Sequence, residues 1–276
     1  MTSLKLAEPS VELSFWNLGR LLSAGIRREV PWFDPHLHGA GYWCWKPFIM
    51  LRELESLQEG DYLLYTDAGR PPGTLFRHSV QPLVQWLEEK GQDILPGVNI
   101  SYYTGDLSRW CKQSVFDALN LDIRDFEHSP LIQPTPCFLK KSEESVRILR
   151  EWMELCRQFS LVSSPTPEEK SRCRDNFADH THDQTLWSLV AAMNHLDCLY
   201  SGKGVIHLDG RQPFLRHPGF DDKDPDFFLG ELGAERVERP LLTFLSGVHQ
   251  GIAFCEKAVN KLSKIAGLGP LKGFYG

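Results

Sequence analysis

The residues from Gly41 to Pro47 combine three aromatic rings with one lysine directly before a predicted helix. Flat rings offer stacking faces for a nucleotide base or a sugar, and a lysine near a helix N-terminus can hold phosphate through its charge and its donated hydrogen bonds. The segment therefore predicts a binding wall made by Tyr42, Trp43, Trp45 and Lys46. The alternative is that the tryptophans anchor the core and that Lys46 is solvated.

A second feature is a carboxylate that follows a short apolar run. Residues Tyr62–Tyr65 are predicted to form a buried central strand, and the chain then enters the glycine- and proline-rich turn Thr66–Gly73, where an open α/β sheet forms its ligand sites. Asp67 in this turn suits an oxygen ligand for Mn²⁺ or Mg²⁺, or a hydrogen-bond acceptor for a ribose. The alternative is an Asx turn, in which the Asp67 side chain bonds only to its own backbone.

The third feature is the segment His180–Gln184, which opens a predicted helix. Asp183 can cap the helix N-terminus while its neighbours face a cleft. Two histidines beside an aspartate also suggest a metal site. However, no second cluster supplies further ligands at zinc-like spacing, which disfavours a structural zinc ion.

Other functional classes are disfavoured by what the sequence lacks. It contains no Gly-x-Ser-x-Gly elbow, no P-loop and no Gly-x-Gly-x-x-Gly fingerprint. A formal net charge of −6 and an isoelectric point near 5.9 leave no overall basic field for a nucleic-acid backbone. We therefore expect no nucleic-acid partner.

The cysteines and the apolar runs indicate the compartment. The seven cysteines are scattered without a C-x-x-C pair, which is typical of buried thiols in a reducing environment. The N-terminus lacks an apolar signal core, and no stretch reaches the roughly 18 to 20 apolar residues that span a bilayer. We therefore expect a cytoplasmic protein, with contact to a membrane surface as an alternative.

Strands and helices alternate along the chain, which favours an α/β fold. Helical spacing of apolar residues predicts helices at Trp16–Arg28, Pro47–Leu57, Ser114–Leu119, Glu143–Ser160 and Asp183–Asn194. Short β-prone runs predict strands at Val11–Phe15, Tyr62–Tyr65 and Val98–Tyr103. Residues 162–176 are polar and contain prolines, which indicates a mobile surface loop.

We expect one main domain over residues 1–238 and a C-terminal helical extension over residues 239–276. The extension shows helical spacing of apolar residues from Leu241 to Leu268, with lysines near its end. Packing on the main domain is the simplest interpretation. Contact with a protein partner or with a membrane surface through residues 241–268 is the alternative.

Taken in order, several segments resemble a family of bacterial glycosyltransferase-like proteins of the kind associated with capsule, lipopolysaccharide or other surface glycans. The segments are Gly41–Pro47, Gly60–Gly69, residues 133–136, Glu151 with Trp152, and His182–Ser188. The resemblance implies a GT-A fold, in which a Rossmann-like mixed central sheet flanked by helices binds a nucleoside-diphosphate sugar. In this fold the sugar nucleotide is usually held through a divalent metal such as Mn²⁺ or Mg²⁺.

On this resemblance, Asp67 matches the first acidic position of the donor-binding motif and is the implied metal ligand. Gly69 stands where many relatives place a second aspartate, which leaves metal dependence open. One alternative is a metal held by Asp67 together with a residue from elsewhere, such as a histidine. Another is a metal-free site in which Lys46 or Arg70 supplies the positive charge.

The resemblance also matches Asp183 to an Asp-Gln pair that contacts the donor sugar or the acceptor in related enzymes. Asp183 is thus the implied catalytic residue, either as general base or as the group that orients the donor sugar. The implied donor-binding residues are Tyr42, Trp43, Trp45, Lys46, Asp67, Ala68, Gly69 and Gln184.

The function implied is transfer of a sugar from a nucleoside diphosphate to a hydroxyl of a glycan or similar acceptor. Two alternatives stay open. The first is a sugar-nucleotide or glycan-binding protein that keeps the fold without transfer, which is motivated by Gly69. The second is a protein-interaction scaffold that uses the C-terminal helix.

Overall fold

The computed structural model describes residues 14–65, 81–99, 106–135 and 137–200. Its right-handed helices are α1 (Leu18–Ser23), α2 (Ile26–Glu29), α3 (Trp45–Ser56), α4 (Gln81–Lys90), α5 (Leu107–Trp110), α6 (Gln113–Leu119), α7 (Glu143–Arg157), α8 (Phe159–Val162), α9 (Pro167–Ser171) and α10 (Asp183–Met193). The strands are β1 (Tyr62–Tyr65), β2 (Ile94–Leu95), β3 (Val98–Asn99), β4 (Ile132–Gln133), β5 (Cys137–Lys140) and β6 (Leu199–Tyr200). Helix and sheet are therefore mixed, as expected from the alternating pattern.

The described strands form two small sheets. In the first, β5 lies between β1 and β2 and pairs antiparallel with both. In the second, β3 pairs antiparallel with β4 and parallel with β6. The predicted strand Tyr62–Tyr65 is confirmed as β1, but the middle strand of its sheet is β5 and β1 lies at the edge of the described strands. The prediction that β1 is buried is also wrong for its first residue, because Tyr62 is exposed while Tyr65 is buried.

Helix α7 organises the core around its apolar face. This face packs on α3 and α10, where the rings of Trp152 and Trp187 lie with centroids 4.6 Å apart. Both tryptophans are fully buried, and burial of each large side chain stabilises the fold by about 2 to 3 kcal/mol. Ser142 and Ser145 form a reciprocal capping box that fixes the start of α7.

Three predicted elements differ from the structure. The helix expected over Trp16–Arg28 is divided into α1 and α2, because Gly25 takes a φ of +90° that a right-handed helix cannot continue. The polar segment 162–176 was expected to be a loop, yet it contains α9, which Thr166 and Glu169 begin with a capping box. Helix α7 ends at Arg157, and Gln158 separates it from α8.

Several sequence predictions lie outside the described residues. They are most of the strand at residues 11–15, the end of the strand at residues 98–103, and the C-terminal extension over residues 239–276. Within the described ranges, no helix has the length and apolar character needed to cross a membrane.

The cysteines of the described ranges are free thiols, as the scattered spacing predicted. Cys44, Cys111, Cys137 and Cys156 are buried. Burial raises the pKa of each of these thiols, so they are protonated and unreactive at neutral pH.

Candidate functional site

The chain before α3 makes a left-handed turn. All residues from Gly39 to Trp43 have positive φ, including three that are not glycine: Ala40 at +51°, Tyr42 at +54° and Trp43 at +55°. This conformation costs roughly 1 to 2 kcal/mol for each residue that carries a Cβ atom. Strain of this kind persists only where surrounding packing enforces it, and it clusters at binding and active sites.

The left-handed turn and the start of α3 hold the rings of the predicted wall. The Nε1 atom of Trp45 donates a hydrogen bond of 3.3 Å to the carbonyl oxygen of Gly39, which ties the helix to the turn. Trp45 is partly buried against the core, so the alternative of a core anchor holds in part for this residue. The ring of Trp43 lies 5.9 Å from Nζ of Lys46, within reach of a cation–π interaction.

The start of α10 is fixed from three sides. Trp152 donates a hydrogen bond of 3.0 Å to the carbonyl oxygen of Asp183, and Thr185 donates one of 2.7 Å to the carbonyl oxygen of Trp110. Nδ1 of His182 lies 2.9 Å from the carbonyl oxygen of Val162. These contacts come from α7, α5 and α8, so three helices together determine where Asp183 points.

Lys46 and Asp183 meet as an ion pair between the two segments. Nζ of Lys46 lies 3.3 Å from Oδ2 of Asp183, and the two side chains are only 9% and 3% exposed. The Cys44 and Cys156 thiols are buried within reach of the Asp183 charge, and their pKa values are raised chiefly by burial and further by that charge. The pair is therefore held in a poorly hydrated pocket, where charges interact strongly but are costly to desolvate.

The rings of both segments pack together beside this pair. The ring centroid of His182 lies 4.7 Å from that of Tyr42 and 6.0 Å from that of Trp43. His38 contacts His182 at 5.4 Å, and Phe159 contacts Tyr42 at 6.0 Å. We call His38, Tyr42, Trp43 and His182 the aromatic wall. The rings of Tyr42 and Trp43 from the predicted wall thus lie in one cluster with His38 and His182, which the sequence did not assign to it.

A second polar cluster lies behind the aromatic wall. Lys112 is fully buried, donates a hydrogen bond of 3.0 Å to the carbonyl oxygen of Ser163 and lies 3.4 Å from Glu169. Desolvation lowers its pKa, and the Glu169 carboxylate opposes this shift. His180 is also buried, and neither of its ring nitrogens has a well-aligned hydrogen-bond partner in the described part of the chain, although the Leu161 backbone acts on its charge. Burial lowers the pKa of His180 well below its ordinary value, and the positive charge of Lys112 adds to the effect.

The structure brings together some of the predicted site residues and does not describe others. Tyr42, Trp43, Lys46 and Asp183 lie in one place, with Trp45 on the core side of the turn. Gln184 directly follows Asp183 at the start of α10, and its Nε2 atom is buried without a hydrogen-bond partner among the described residues. Asp67, Ala68 and Gly69 lie outside the described residues.

The expected helix cap is corrected by the structure. Asp183 does not occupy the N-cap position of α10, which His182 takes, and the Asp183 side chain instead contacts Lys46. In the ranges that the structure describes, no group of three or more His, Cys, Asp or Glu residues could hold a metal ion. The predicted metal ligand Asp67 lies outside the described residues, so its role stays a prediction.

Two functional candidates were missed by the sequence reasoning. His182 stood out in the sequence as half of a histidine pair and as the start of the segment His182–Ser188, but neither pattern assigned it a role, because its contact with Val162 depends on the tertiary fold. Lys112 gave no signal at all, because an isolated lysine is normally solvated. Its burial becomes visible only when α6 and the segment after α8 are packed together.

Comparisons of this chain with protein families, with curated proteins and with solved structures find no match.

Proposed function

We propose that the chain is a glycosyltransferase of the GT-A type that moves a sugar from a nucleoside diphosphate to a hydroxyl of a glycan or similar acceptor. The observation that supports this most is the contact between Lys46 and Asp183 beside the rings of Tyr42, Trp43 and His182. These residues belong to two of the five segments that together carry the resemblance to glycosyltransferases. A ligand site is the simplest reason for two strained segments to meet at an ion pair.

Each side chain has a task in such a transfer. The Asp183 carboxylate can accept hydrogen bonds from hydroxyls of the donor sugar, and Lys46 supplies positive charge for the diphosphate. Negative charge grows on the diphosphate as the sugar leaves, so a nearby cation lowers the barrier. The Tyr42 and Trp43 rings offer faces for a base or a sugar.

A divalent metal at Asp67 stays part of the proposal. Bound Mn²⁺ or Mg²⁺ would neutralise charge on the diphosphate. Asp67, Ala68 and Gly69 lie outside the described residues, so the residues that would hold the metal remain a prediction. The division into residues 1–238 and 239–276 and the cytoplasmic or membrane-peripheral location likewise remain predictions.

One observation favours a second candidate, a sugar-nucleotide or glycan-binding protein without transfer. Lys46 and Asp183 are almost completely shielded from solvent and neutralise each other. A buried ion pair can serve to fix a structure in place of reacting with a substrate. In this case the aromatic wall would bind a ligand while the ion pair only positions it.

Nucleoside diphosphate release separates the two candidates. The full-length protein is incubated with a panel of sugar nucleotides, with and without Mn²⁺, and the released nucleotide is quantified by chromatography. Asp183→Asn and Lys46→Met should each lower the rate about a hundredfold or more, since loss of one well-placed group typically costs about 3 to 4 kcal/mol of barrier. Arg150→Met is the control, because it removes only the exposed ion pair with Glu55.

The possible results of this assay distinguish the transferase from the binding protein. Stabilisation by a sugar nucleotide in a thermal shift assay without any release supports the binding protein. Full activity in both Asp183→Asn and Lys46→Met rules out the roles assigned to these residues. A loss of activity in Arg150→Met equal to that in the other variants would mean that the effect is not specific to the site.

A further inference from the structure

The contact with Val162 determines the tautomer of His182. Nδ1 of His182 lies 2.9 Å from the Val162 carbonyl oxygen. Because a carbonyl oxygen only accepts hydrogen bonds, Nδ1 must carry the hydrogen. In the neutral ring, Nε2 is then left with a lone pair. His182 is therefore held in the form that can accept a proton at Nε2.

The ring of His182 lies beside the proposed donor site. It forms part of the aromatic wall with Tyr42 and Trp43, and it directly precedes Asp183, whose carboxylate contacts Lys46. His182 is only 8% exposed, so little water competes for its ring. An acceptor hydroxyl that approaches a sugar held by Asp183 would therefore come close to this histidine.

The backbone of His182 is strained. Its φ of +57° and ψ of −122° fall in a region that residues with a Cβ atom rarely adopt. Such a conformation costs on the order of 1 to 3 kcal/mol, and it is retained here by the bonds that fix the start of α10. With this backbone conformation, the His182 ring packs on Tyr42 and Trp43 of the left-handed turn.

We infer that His182 is the general base of the transfer, an inference that rests on the proposed function. The acceptor oxygen forms a bond to the anomeric carbon of the donor sugar. The bond from that carbon to the diphosphate oxygen breaks, and its electron pair leaves with the nucleoside diphosphate. The hydroxyl proton passes to Nε2 of His182 and is later released to water. This single displacement inverts the configuration at the anomeric carbon, and Asp183 orients the donor sugar.

The surroundings keep His182 neutral and able to act as a base. Burial lowers its pKa, while its hydrogen bond with the Val162 carbonyl acts in the opposite direction. Two nearby cationic or basic groups, His38 and Lys112, lower the pKa of His182, and the Asp179 carboxylate raises it. The other titratable groups next to the ring are His180, Tyr42 and Asp183. A neutral imidazole at pH 7 is in the protonation state that proton removal requires.

His182→Asn is the decisive variant. The asparagine amide can still donate a hydrogen bond toward Val162 and tolerates positive φ, but it cannot accept the proton. We expect kcat to fall by about a hundredfold to ten-thousandfold, with the Michaelis constant for the donor changed less than about threefold. In the wild type, kcat/KM should fall as the pH drops through the pKa of His182, and this acidic limb should vanish in the variant. His195→Asn is the control, because His195 is an exposed histidine with a φ of +54° beyond the other end of α10.

Two further measurements complete the test. Nitrogen NMR of the free protein should show His182 with hydrogen on Nδ1, and the product should have inverted anomeric configuration. Hydrogen on Nε2, a retained configuration, or wild-type kcat with an intact acidic limb in His182→Asn would each overturn the role of His182. If the wild type turns over none of the sugar nucleotides, it is the proposed function itself that fails.

Discussion

Gly39 lies where the left-handed turn meets the aromatic wall. Its φ is +58°, and a Cβ atom at this position would lie 2.4 Å from the Trp43 ring. Only glycine satisfies both the backbone and the close approach of the ring. Replacement should therefore strain the backbone and displace Trp43 from its place beside Lys46.

We predict that Gly39→Ala lowers the free energy of unfolding by about 2 to 4 kcal/mol, since positive φ costs about 1 to 2 kcal/mol and the steric clash adds to it. Gly60→Ala is the matched control, because Gly60 also has positive φ but has open space around its missing Cβ atom. It should cost about 1 to 2 kcal/mol. Urea denaturation measures both, and equal losses in the two variants would show that the Trp43 contact carries no energy.

The strained backbone conformations of single residues could not be predicted from the sequence. The aromatic content of Gly41–Pro47 led to the prediction of a binding wall, and the structure shows that the Tyr42 and Trp43 rings do cluster. However, positive φ at Tyr42, Trp43 and His182 opposes the local preference of each residue. These conformations are imposed by packing between segments that are distant in the chain, so no local sequence pattern predicts them.

At the scale of elements, Lys112 joins α6 to the segment that follows α8. Its ammonium contacts the Ser163 carbonyl and Glu169, and Glu169 also accepts a hydrogen bond of 2.6 Å from Ser114. Ser163 directly follows Val162, whose carbonyl oxygen contacts His182. Lys112 therefore holds Ser163 in place, and with it the adjacent Val162 carbonyl that contacts the proposed base His182.

We predict that Lys112→Met destabilises the protein by about 1 to 3 kcal/mol, because it leaves a partly buried carbonyl group and a partly buried carboxylate without their cation. In a double-mutant cycle, Lys112→Met should cost less in the presence of Glu169→Gln, which keeps the hydrogen-bond acceptor for Ser114. The coupling energy should be about 1 to 3 kcal/mol in equilibrium unfolding. Strict additivity of the two changes would contradict a direct interaction between Lys112 and Glu169.

The elements themselves were partly predictable. Helical periodicity identified α3, α6, α7 and α10 within a few residues, because each buries an apolar face along its length. The sequence Thr166–Glu169 carried a capping-box signal for α9, but its polarity and prolines favoured a loop. The pairing of β5 with both β1 and β2 was not foreseen, since strand partners depend on contacts that are distant in sequence.

At the scale of the whole molecule, the buried histidines link stability to pH. The pKa values of His180 and His182 are lowered in the folded protein, chiefly by burial, relative to the ordinary value of 6.5. The unfolded chain therefore binds more protons than the folded one at acidic pH. The stability contributed by the neutral rings is complete above about pH 7 and is lost as the pH falls below 6.5 toward the lower folded values.

We predict that the free energy of unfolding decreases between pH 6.5 and 5 by about 1.4 kcal/mol per pH unit for each proton that the unfolded chain takes up in excess. His180→Leu should make this slope shallower by up to about 1.4 kcal/mol per pH unit, the contribution of one proton, because it removes one of the two buried histidines. The exposed His128 provides the control variant His128→Gln, which should leave the slope unchanged. An identical slope in His180→Leu and the wild type would rule out a neutral buried His180.

We propose that Lys46, Asp183 and the aromatic wall form a sugar-nucleotide site. A crystal structure of the protein with a bound, non-hydrolysable sugar nucleotide tests this most directly. The claim predicts a sugar hydroxyl in hydrogen-bond contact with the Asp183 carboxylate, the diphosphate on the Lys46 side, and the base or sugar against Tyr42 or Trp43. A ligand bound elsewhere, with the Lys46–Asp183 contact untouched, would contradict it.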